Sequence, residues 1–389
     1  MKENMLIVHG GGPTAVLNAS LYGAVREAKK ERRLHHIYAA KNGTGGLLRG
    51  DFWKLEGLSE EALKLLPQTP GSVIGTSRDA LEGADYEQMA EQLREKQIRY
   101  VLFNGGNGTM DACGRLERAC RARGIDAYVI GIPKTMDNDI AVTDHSPGFG
   151  SAARYMAQSI KEVCADVRGL PIHVVVVEAS GRNAGWITAA AALADDGDGL
   201  GPDLLYLPER PFEEERFVED IRRLLQTKSG IVVVASEGLK DAAGKPVVEP
   251  IFQTGRATYF GEVSSHLANV VIRRLGYKAR GEKPGLLGRA SSSLQSVVDL
   301  EEAELAGRIA CQAVLKGESG KMVAFRRIST NPYQIEPFLV EIEKVMLHER
   351  TMPDEFINEA GNGVTEAFRE WCRPLLGGAL SKMLVLGDG

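Results

Sequence analysis

One short polar segment combines the side chains that a phosphoryl transfer needs. Residues 133–139 read Pro-Lys-Thr-Met-Asp-Asn-Asp, which places the cation of Lys134, the hydroxyl of Thr135 and the carboxylates of Asp137 and Asp139 close together. Such a reaction needs a base for the attacking hydroxyl, a cation for the equatorial oxygens and a group that faces a metal ion. The segment directly follows an apolar run, so it would lie at the carboxyl end of a strand, where α/β folds bind ligands. We therefore predict a phosphoryl-transfer loop here rather than a solvated turn.

Two glycine-rich loops nearer the N-terminus are suited to binding phosphate. Each follows a short apolar run and precedes a helical pattern, so that backbone amides and a helix N-terminus would meet an anion. Either loop alone fits a tight strand-to-helix turn equally well. The predicted donor-binding residues are Gly11, Gly12, Gly106, Asn107, Gly108 and Thr109.

Several standard motifs are missing from the sequence. Gly244-Lys245 is followed by Pro and Gly320-Lys321 by Met, so neither completes a G-x-x-x-x-G-K-[ST] phosphate loop. The first glycine loop does not read G-x-G-x-x-G, which argues against a nicotinamide-dependent dehydrogenase.

The elements that must position these loops are short strands that alternate with helices. Apolar runs ending in glycine or polar residues recur at residues 5–8, 100–103, 127–132, 173–177, 204–207 and 231–235. Strands of this kind, separated by helices, form parallel sheets with ligands at their carboxyl ends. We therefore predict an α/β fold with two lobes, each built on a mainly parallel sheet. We also expect a helix over residues 259–275 and a helical tail from about residue 337.

Strand ends in the second half of the chain also carry polar residues. Ser180, Gly181 and Arg182 follow one predicted strand, and Glu237 follows another. These residues would suit a hydroxylated substrate, although single Arg and Glu residues are more often surface charges.

The composition is that of a chain with a large core. Of the 389 residues, 43% are hydrophobic and 25% charged, which excludes disordered, collagen-like and coiled-coil classes. A net charge of −5 offers no basic excess for nucleic acid. Five cysteines without a C-x-x-C pair indicate reduced thiols. With no signal-peptide pattern and no apolar run of membrane-spanning length, we expect a cytoplasmic protein that binds neither nucleic acid nor membrane.

Over nearly its whole length the sequence resembles the phosphofructokinase family, in particular the bacterial branch that includes pyrophosphate-dependent 6-phosphofructokinases. The resemblance is carried by residues 11–20, 105–109, 133–139, 181–186, 202–209 and 287–289. It implies two Rossmann-like lobes with mainly parallel sheets and a ligand cleft between them. The phosphoryl-donor lobe would comprise residues 1–147 and about 287–335. The sugar-phosphate lobe would comprise residues 148–286 and, with a helical tail, about 336–389.

The activity implied by the resemblance is Mg²⁺-dependent phosphoryl transfer from ATP or pyrophosphate to the 1-hydroxyl of fructose 6-phosphate, giving fructose 1,6-bisphosphate in glycolysis. Asp137 would be the base that takes the hydroxyl proton. The other implied catalytic residues are Lys134, Thr135, Arg182 and Arg78. The implied sugar-phosphate residues are Asp139, Ser180, Gly181, Arg182, Glu237, Arg280, Leu286, Arg289 and His173. Arg280 would reach the site of a neighbouring subunit, so the resemblance implies a homodimer or homotetramer.

Two positions bear on the phosphoryl donor. Family members that use pyrophosphate usually have Asp where this chain has Gly108, and that carboxylate occupies the place of a nucleotide α-phosphate. Lys134, in contrast, is typical of pyrophosphate users. Because Gly108 removes the block to a nucleotide, we expect ATP ahead of pyrophosphate.

Other departures from the family concern the metal and the sugar. Asn107 stands where the family usually has a metal-associated Asp, so Mg²⁺ would rest mainly on phosphate oxygens and water. Ser180, Leu286, Gly288 and His173 replace the usual residues on the sugar side. Two alternatives therefore stay open: a kinase for a different ketose phosphate, and a non-catalytic member of the fold that binds metabolites.

Overall fold

The computed structural model describes residues 3–170, 173–254 and 257–386. Its strands are β1 (Glu3–His9), β2 (Leu34–Ala40), β3 (Phe52–Lys54), β4 (Ile98–Gly105), β5 (Tyr128–Pro133), β6 (Val174–Ala179), β7 (Leu204–Tyr206), β8 (Ile231–Ser236), β9 (Pro250–Thr254), β10 (Ala257–Phe260), β11 (Ala279–Glu282), β12 (Lys321–Thr330) and β13 (Tyr333–Glu341). Its α-helices are α1 (Leu17–Ala28), α2 (Thr44–Arg49), α3 (Glu60–Leu65), α4 (Gly83–Glu95), α5 (Asn107–Ala122), α6 (Phe149–Gly169), α7 (Trp186–Ala190), α8 (Glu214–Leu224), α9 (Val263–Leu275), α10 (Leu287–Ala290), α11 (Val297–Leu315) and α12 (Glu366–Cys372). No helix within these described ranges is both long and apolar enough to cross a membrane.

The chain divides into two compact units. The first contains the described residues up to Ser151 together with Arg289–Arg350, and the second contains Ala152–Gly288 together with the described residues from Thr351. The sequence suggested that the chain returns to the second lobe at about residue 336. It stays in the first unit through Arg350 because β13 continues to Glu341 and pairs antiparallel with β12.

The first unit is built on a seven-stranded sheet in the order β13-β12-β5-β4-β1-β2-β3. Neighbouring strands from β12 to β2 run parallel, and β3 and β13 pair antiparallel at the two edges. Helices cover both faces, so every residue of β1 after Glu3 is buried. Leu6 and Val8 pack in one apolar cluster with residues of α4 and α5, whereas Met5 and Ile7 pack in another with residues of α1 and α11. The predicted parallel α/β architecture is confirmed.

The second unit contains a four-stranded parallel sheet in the order β11-β6-β8-β7. Its central strands β6 and β8 are fully buried, and Ala179 pairs with Ser236 where they end. The apolar cluster beside this sheet includes Phe217 of α8 and Leu267 of α9. The helix predicted over residues 259–275 begins later, at Val263, because β10 pairs antiparallel with β9 before it.

The prediction of a helical tail from about residue 337 is wrong. Pro337 lies within β13, an edge strand, where a residue without an N–H group is tolerated. Beyond β13, the described chain is mainly irregular, with short 3₁₀ turns and the seven-residue helix α12.

Candidate active site

Three neighbouring strands of the first unit deliver the predicted loops to one edge of its sheet. β5, β4 and β1 are adjacent and parallel, with Gly105 opposite Pro133 and His9 opposite Asn104. The loops that follow are joined directly, since the Gly10 amide donates to the Asn104 carbonyl (2.9 Å) and the Lys134 amide to the Gly105 carbonyl (3.0 Å). The sequence predicted this meeting of loops from the strand ends alone.

Lys134 reaches from its own loop into the first glycine loop. Its side chain is only 3% exposed, and the ammonium group donates to the Gly12 carbonyl at 2.5 Å. Burial lowers the pKa of Lys134 to about 8, partly offset by the carboxylate of Asp137. The amine is therefore still mostly charged at neutral pH, and it lies where an anion on the glycine loop would need a counter-charge.

Two guanidinium groups complete this cluster. Atoms of Arg78 and Arg289 each lie 3.1 Å from the position that a Cβ on Gly12 would occupy, so a side chain there would push both cations away. Gly11 has a φ of 76°, a conformation that favours glycine. Three cations thus converge on one loop, as an anion-binding site requires. The sequence grouped Arg289 with the sugar residues, whereas the structure places it beside the glycine loop of the first unit.

The loop that carries Asp137 is held in shape by its own backbone and by the segment 143–148. The Asp137 amide donates to the Thr135 hydroxyl (3.1 Å), and the Thr135 amide donates to the Pro147 carbonyl (3.1 Å). Asn138 is fully buried at a φ of 54°, and its side-chain carbonyl accepts from the Ser146 amide at 3.0 Å. Asp137 itself is half-buried, and its carboxylate acts electrostatically on the Lys134 ammonium. The carboxylate is thus presented by a fixed backbone.

Buried charged groups support the segment 143–148 in turn. Asp299 accepts from the Gly148 amide (2.8 Å), from the Ser151 amide (2.9 Å) and from the Ser151 hydroxyl (2.6 Å). His145 lies between Glu302 (2.5 Å) and Asp144 (2.9 Å). Burial opposes the charged imidazolium, but the two carboxylates raise the pKa of His145 to about 9. This support was not predictable from sequence, because Asp299 and Glu302 lie far along the chain from the segment 143–148.

The second glycine loop forms the N-terminus of α5. Asn107 donates from its side-chain amide to the carbonyl (3.1 Å) and to one carboxylate oxygen (3.0 Å) of Asp139. Gly108, the next residue, is exposed, and an added Cβ would meet nothing within 4 Å. Thr109 is buried, and its amide donates to the Gly106 carbonyl. An Asp at position 107 would place a second carboxylate against Asp139, so the amide fits this geometry.

Two oxygens at this point are suited to a metal ion. The Oδ1 atoms of Asn107 and Asp139 are both buried and have no hydrogen-bond partner. Unsatisfied buried acceptors of this kind need a cation or a water. No group of three or more His, Cys, Asp or Glu side chains suited to a metal occurs in the described part of the chain. The residues present therefore fit an ion that takes most of its ligands from phosphate and water.

The second unit brings two of its predicted strand-end segments together. Glu237, after β8, accepts from the Gly181 amide (3.2 Å), and Ser236 donates its hydroxyl to the Gly181 carbonyl (2.8 Å). Gly181 has a φ of 114°, which explains the glycine in this turn. Arg182, next in the chain, is exposed, with its guanidinium 5.0 Å from the ring centre of Phe260. The predicted grouping of the turn 180–182 with Glu237 is thus seen in the structure.

The remaining sugar-side residues lie at the surface of the second unit. Arg280 is exposed on β11, and Leu286 is 68% exposed. His173 accepts from the Lys278 amide (3.3 Å) and packs its ring edge-on against Tyr277. The contribution of these residues to a site stays a prediction.

Two buried residues, His9 and Glu178, and the half-buried Glu209 were not found by sequence reasoning. His9, which ends β1, is fully buried, and burial together with the charge of Lys134 lowers its pKa to about 3. Glu178 is buried and forms an ion pair with Lys283 at 2.8 Å. Glu209 accepts from the Gly185 amide at 2.8 Å, and burial raises its pKa. Each is a single polar residue in an apolar context, a pattern that sequence alone does not separate from surface charge.

The fold and the first unit's site define an α/β protein with a cationic, glycine-lined site at the strand ends of a parallel sheet. The phosphofructokinase family model matches residues 4–301, and the chain belongs to this family. It is 39% identical to pyrophosphate–fructose 6-phosphate 1-phosphotransferase of Xanthomonas campestris, covering 96% of this chain and 92% of that protein.

Two further proteins extend the comparison. The chain is 34% identical to sulfofructose kinase of Alkalicoccus urumqiensis, over 95% of this chain and 94% of the relative. The crystal structure of pyrophosphate-dependent phosphofructokinase from Nitrosospira multiformis superposes with a TM-score of 0.90 at 32% identity, covering all of this chain and 95% of that one. The chain is thus an enzyme of the phosphofructokinase type. The expected preference for ATP is not supported by these names, which point towards pyrophosphate.

Proposed function

We propose that this protein transfers a phosphoryl group to the 1-hydroxyl of fructose 6-phosphate and so forms fructose 1,6-bisphosphate. The observation that carries the proposal is the cluster of Lys134, Arg78 and Arg289 on the Gly11–Gly12 loop, with Asp137 close to Lys134. A charge cluster of this kind serves both tasks of the reaction, because the cations bind the transferred phosphoryl and the carboxylate accepts a proton. The function named for the Xanthomonas relative supports the same conclusion.

Pyrophosphate is the donor that we propose, ahead of ATP. It is the donor named for relatives that match the chain over nearly its full length. Lys134 also favours it, because a buried ammonium on the Gly12 carbonyl offers a fixed positive charge to a small, highly charged anion. Gly108 is the opposing feature, since it leaves open space at the start of α5.

In the proposed reaction, the oxygen of the sugar 1-hydroxyl attacks the phosphorus atom. Asp137 takes the proton from that hydroxyl. The bond to the bridging oxygen of pyrophosphate breaks, and orthophosphate leaves. Lys134, Arg78 and Arg289 remain fixed around the glycine loop and stabilise the charge that spreads over the equatorial oxygens. Thr135 contributes by fixing the Asp137 amide.

Mg²⁺ is the metal that we propose for this site. Asn107 and Asp139 would hold it through their unsatisfied Oδ1 atoms, and a bound Mg²⁺ neutralises charge on the donor phosphates. The remaining ligands would come from the phosphates and water.

The sugar phosphate would be bound by the strand ends of the second unit. Ser180, Gly181 and Arg182 form the turn that Glu237 fixes, and this turn presents backbone and guanidinium donors. Arg280 and His173 would serve a neighbouring subunit in a homodimer or homotetramer. A role in glycolysis would place the reaction in the cytoplasm.

A ketose with a different anionic group at C6 is a second candidate acceptor. Leu286, where the family often has a side chain that meets the sugar phosphate, is apolar and exposed here. A relative that matches 95% of the chain is named sulfofructose kinase. Turnover measured with fructose 6-phosphate, a sulfonated fructose and other ketose phosphates, each with pyrophosphate and with ATP, distinguishes these acceptors.

Replacement of Asp137 tests the reaction itself. Asp137→Asn should lower kcat by about 10²–10⁴-fold while donor binding is largely kept, because the amide fills the same space but accepts no proton. Asp126→Asn, at a carboxylate that is 68% exposed and paired with Arg99, is the matched control and should keep kcat. Near-normal turnover in Asp137→Asn would contradict the proposed role.

A further inference from the structure

Arg78 lies in an irregular segment, and its guanidinium group lies beside Gly12 of the first glycine loop. Residues 76–80 belong to no helix or strand, and Arg78 is exposed. An atom of its guanidinium nevertheless lies 3.1 Å from the Cβ position of Gly12. Side-chain entropy opposes fixing an arginine that is carried by a free loop, so an anchored backbone favours this placement.

The residues before Arg78 are anchored to the glycine loop. Thr76 donates its hydroxyl to the Gly11 carbonyl at 2.8 Å, and the Gly11 amide donates to the Ser77 carbonyl at 2.9 Å. Both polar groups of the Gly11 backbone are therefore used by the segment that carries Arg78.

Asp79 anchors the other side of Arg78. One carboxylate oxygen, Oδ2, accepts from the Ser77 hydroxyl at 2.7 Å and from the Thr44 hydroxyl at 2.5 Å. The Thr44 amide donates to the Ser77 hydroxyl oxygen at 3.1 Å, so the two residues that donate to Asp79 are also joined to each other. Hydrogen bonds to an ionised carboxylate are about twice as strong as neutral ones. Arg78 thus lies between two anchors, one on the glycine loop and one at the start of α2.

A positive group accompanies the Asp79 carboxylate. Arg49 Nη1 and Asp79 Oδ2 lie 3.1 and 3.4 Å from the position that a Cβ on Gly45 would take. The guanidinium of Arg49 and the carboxylate of Asp79 thus face the same glycine at the start of α2.

We infer that Asp79 is a positioning residue for donor binding: through Ser77 and Thr44 it fixes the backbone that places the Arg78 guanidinium over the Gly11–Gly12 loop. This inference rests on the proposed function, in which Arg78 contacts the donor phosphates. Asp79 itself touches no substrate in this arrangement and acts only through Arg78.

The test is a double-mutant cycle read by direct binding of inorganic pyrophosphate, measured by calorimetry on the full-length protein. Arg78→Ala and Asp79→Ala should each weaken pyrophosphate binding by about 10-fold or more, the effect of losing one charged contact. The double variant should bind no worse than Arg78→Ala alone, because Asp79 has nothing left to position. Additive losses in the double variant, or unchanged binding in Asp79→Ala, would overturn the inference.

Two further variants separate positioning from general destabilisation. Asp79→Asn keeps an oxygen acceptor for the two hydroxyls and should recover most of the affinity that Asp79→Ala loses. Thr44→Val removes one of the two hydroxyl donors and should give an intermediate loss, a result that remains readable where Asp79→Ala does not fold. Asp51→Ala, an exposed aspartate paired with Lys41, is the matched control and should bind pyrophosphate as the wild type does.

The experiments distinguish a failure of the proposed reaction from a failure of the inference about Asp79. A wild type that binds pyrophosphate but does not phosphorylate fructose 6-phosphate contradicts that reaction, while a non-additive binding cycle still supports the role of Asp79. A wild type that binds neither pyrophosphate nor ATP overturns both.

Discussion

Gly108 is the residue at which the choice of donor can be tested most cleanly. It is exposed in the first turn of α5, and an added Cβ would meet no protein atom within 4 Å. Because a carboxylate is also favourable near a helix N-terminus, Gly108→Asp should fold normally. We expect it to lower kcat/KM for ATP by at least about 10-fold, because the carboxylate repels and overlaps the α-phosphate. The value of kcat/KM for pyrophosphate should change by no more than a few-fold.

The control for this substitution is Gly108→Asn, which has the same shape without the charge. A lower kcat/KM for ATP in both variants would mean that steric overlap excludes the nucleotide. A lower value in Gly108→Asp alone would mean that charge repulsion excludes it. Unchanged ATP turnover in both would show that another residue controls nucleotide entry.

Single residues were predictable from sequence where the chemistry lies within one loop. Residues 134–139 carry their cation, hydroxyl and carboxylates together, and the structure keeps Lys134 and Asp137 as electrostatic neighbours. Arg78 and Arg289 reach the same glycine loop from positions far apart in the chain, a proximity that only the folded chain shows. The donor was predicted less well, because Gly108 and Lys134 favour different donors.

At the scale of elements, the ion pair between His145 and Glu302 links α11 to the segment behind the catalytic loop. The pKa of His145 is raised, so its stabilising effect is fully present below about pH 6.5 and is lost as pH rises through about 9. His145→Gln should lower the free energy of unfolding by about 3 kcal/mol at pH 6, since the buried Glu302 carboxylate loses its cationic partner and keeps only the Tyr333 hydroxyl. The difference from the wild type, measured by chemical denaturation, should shrink by pH 10.

His36→Gln provides the matched control for this prediction. His36 also contacts a carboxylate, Glu56 at 2.7 Å, but both side chains are partly exposed. Exposed pairs contribute at most about 1 kcal/mol, so this variant should change stability little at either pH. An equal loss of unfolding free energy in the two variants would contradict the prediction that the His145 pair stabilises the protein because it is buried.

Strands with continuous apolar sequence were predictable, and the hairpin of β12 and β13 was not. Buried strands such as β1, β6 and β8 have apolar runs that end in glycine or polar residues, which marks both the strand and its loop. β12 is buried only in its first half, and β13 alternates between half-buried and exposed residues around Pro337. β13 is the edge strand, and β12 beside it pairs with β5 only at Lys321 and Met322, which explains this mixed pattern.

At the scale of the whole molecule, the proposed role of Arg280 requires a second subunit. Arg280→Glu and Asp137→Asn should each be inactive alone, the first because it lacks a sugar-phosphate cation and the second because it lacks the base. When the two are unfolded and refolded together in equal amounts, mixed dimers contain one complete site, and about a quarter of wild-type activity should return. The measurement is turnover before and after mixing.

Arg273→Glu, an exposed arginine on α9, is the matched control and should stay active by itself. If turnover does not return although mixed oligomers are shown to form, Arg280 serves the site of its own chain.

The chain passes from one unit to the other after Ser151, after Gly288 and after Arg350. During synthesis, the N-terminal strands leave the ribosome long before β12 and α11, which complete the same sheet and cover one of its faces. The early portion therefore has an unpaired β5 edge and uncovered apolar side chains until α11 and β12 have been translated. Nascent chains shorter than this should consequently depend on chaperones to avoid aggregation.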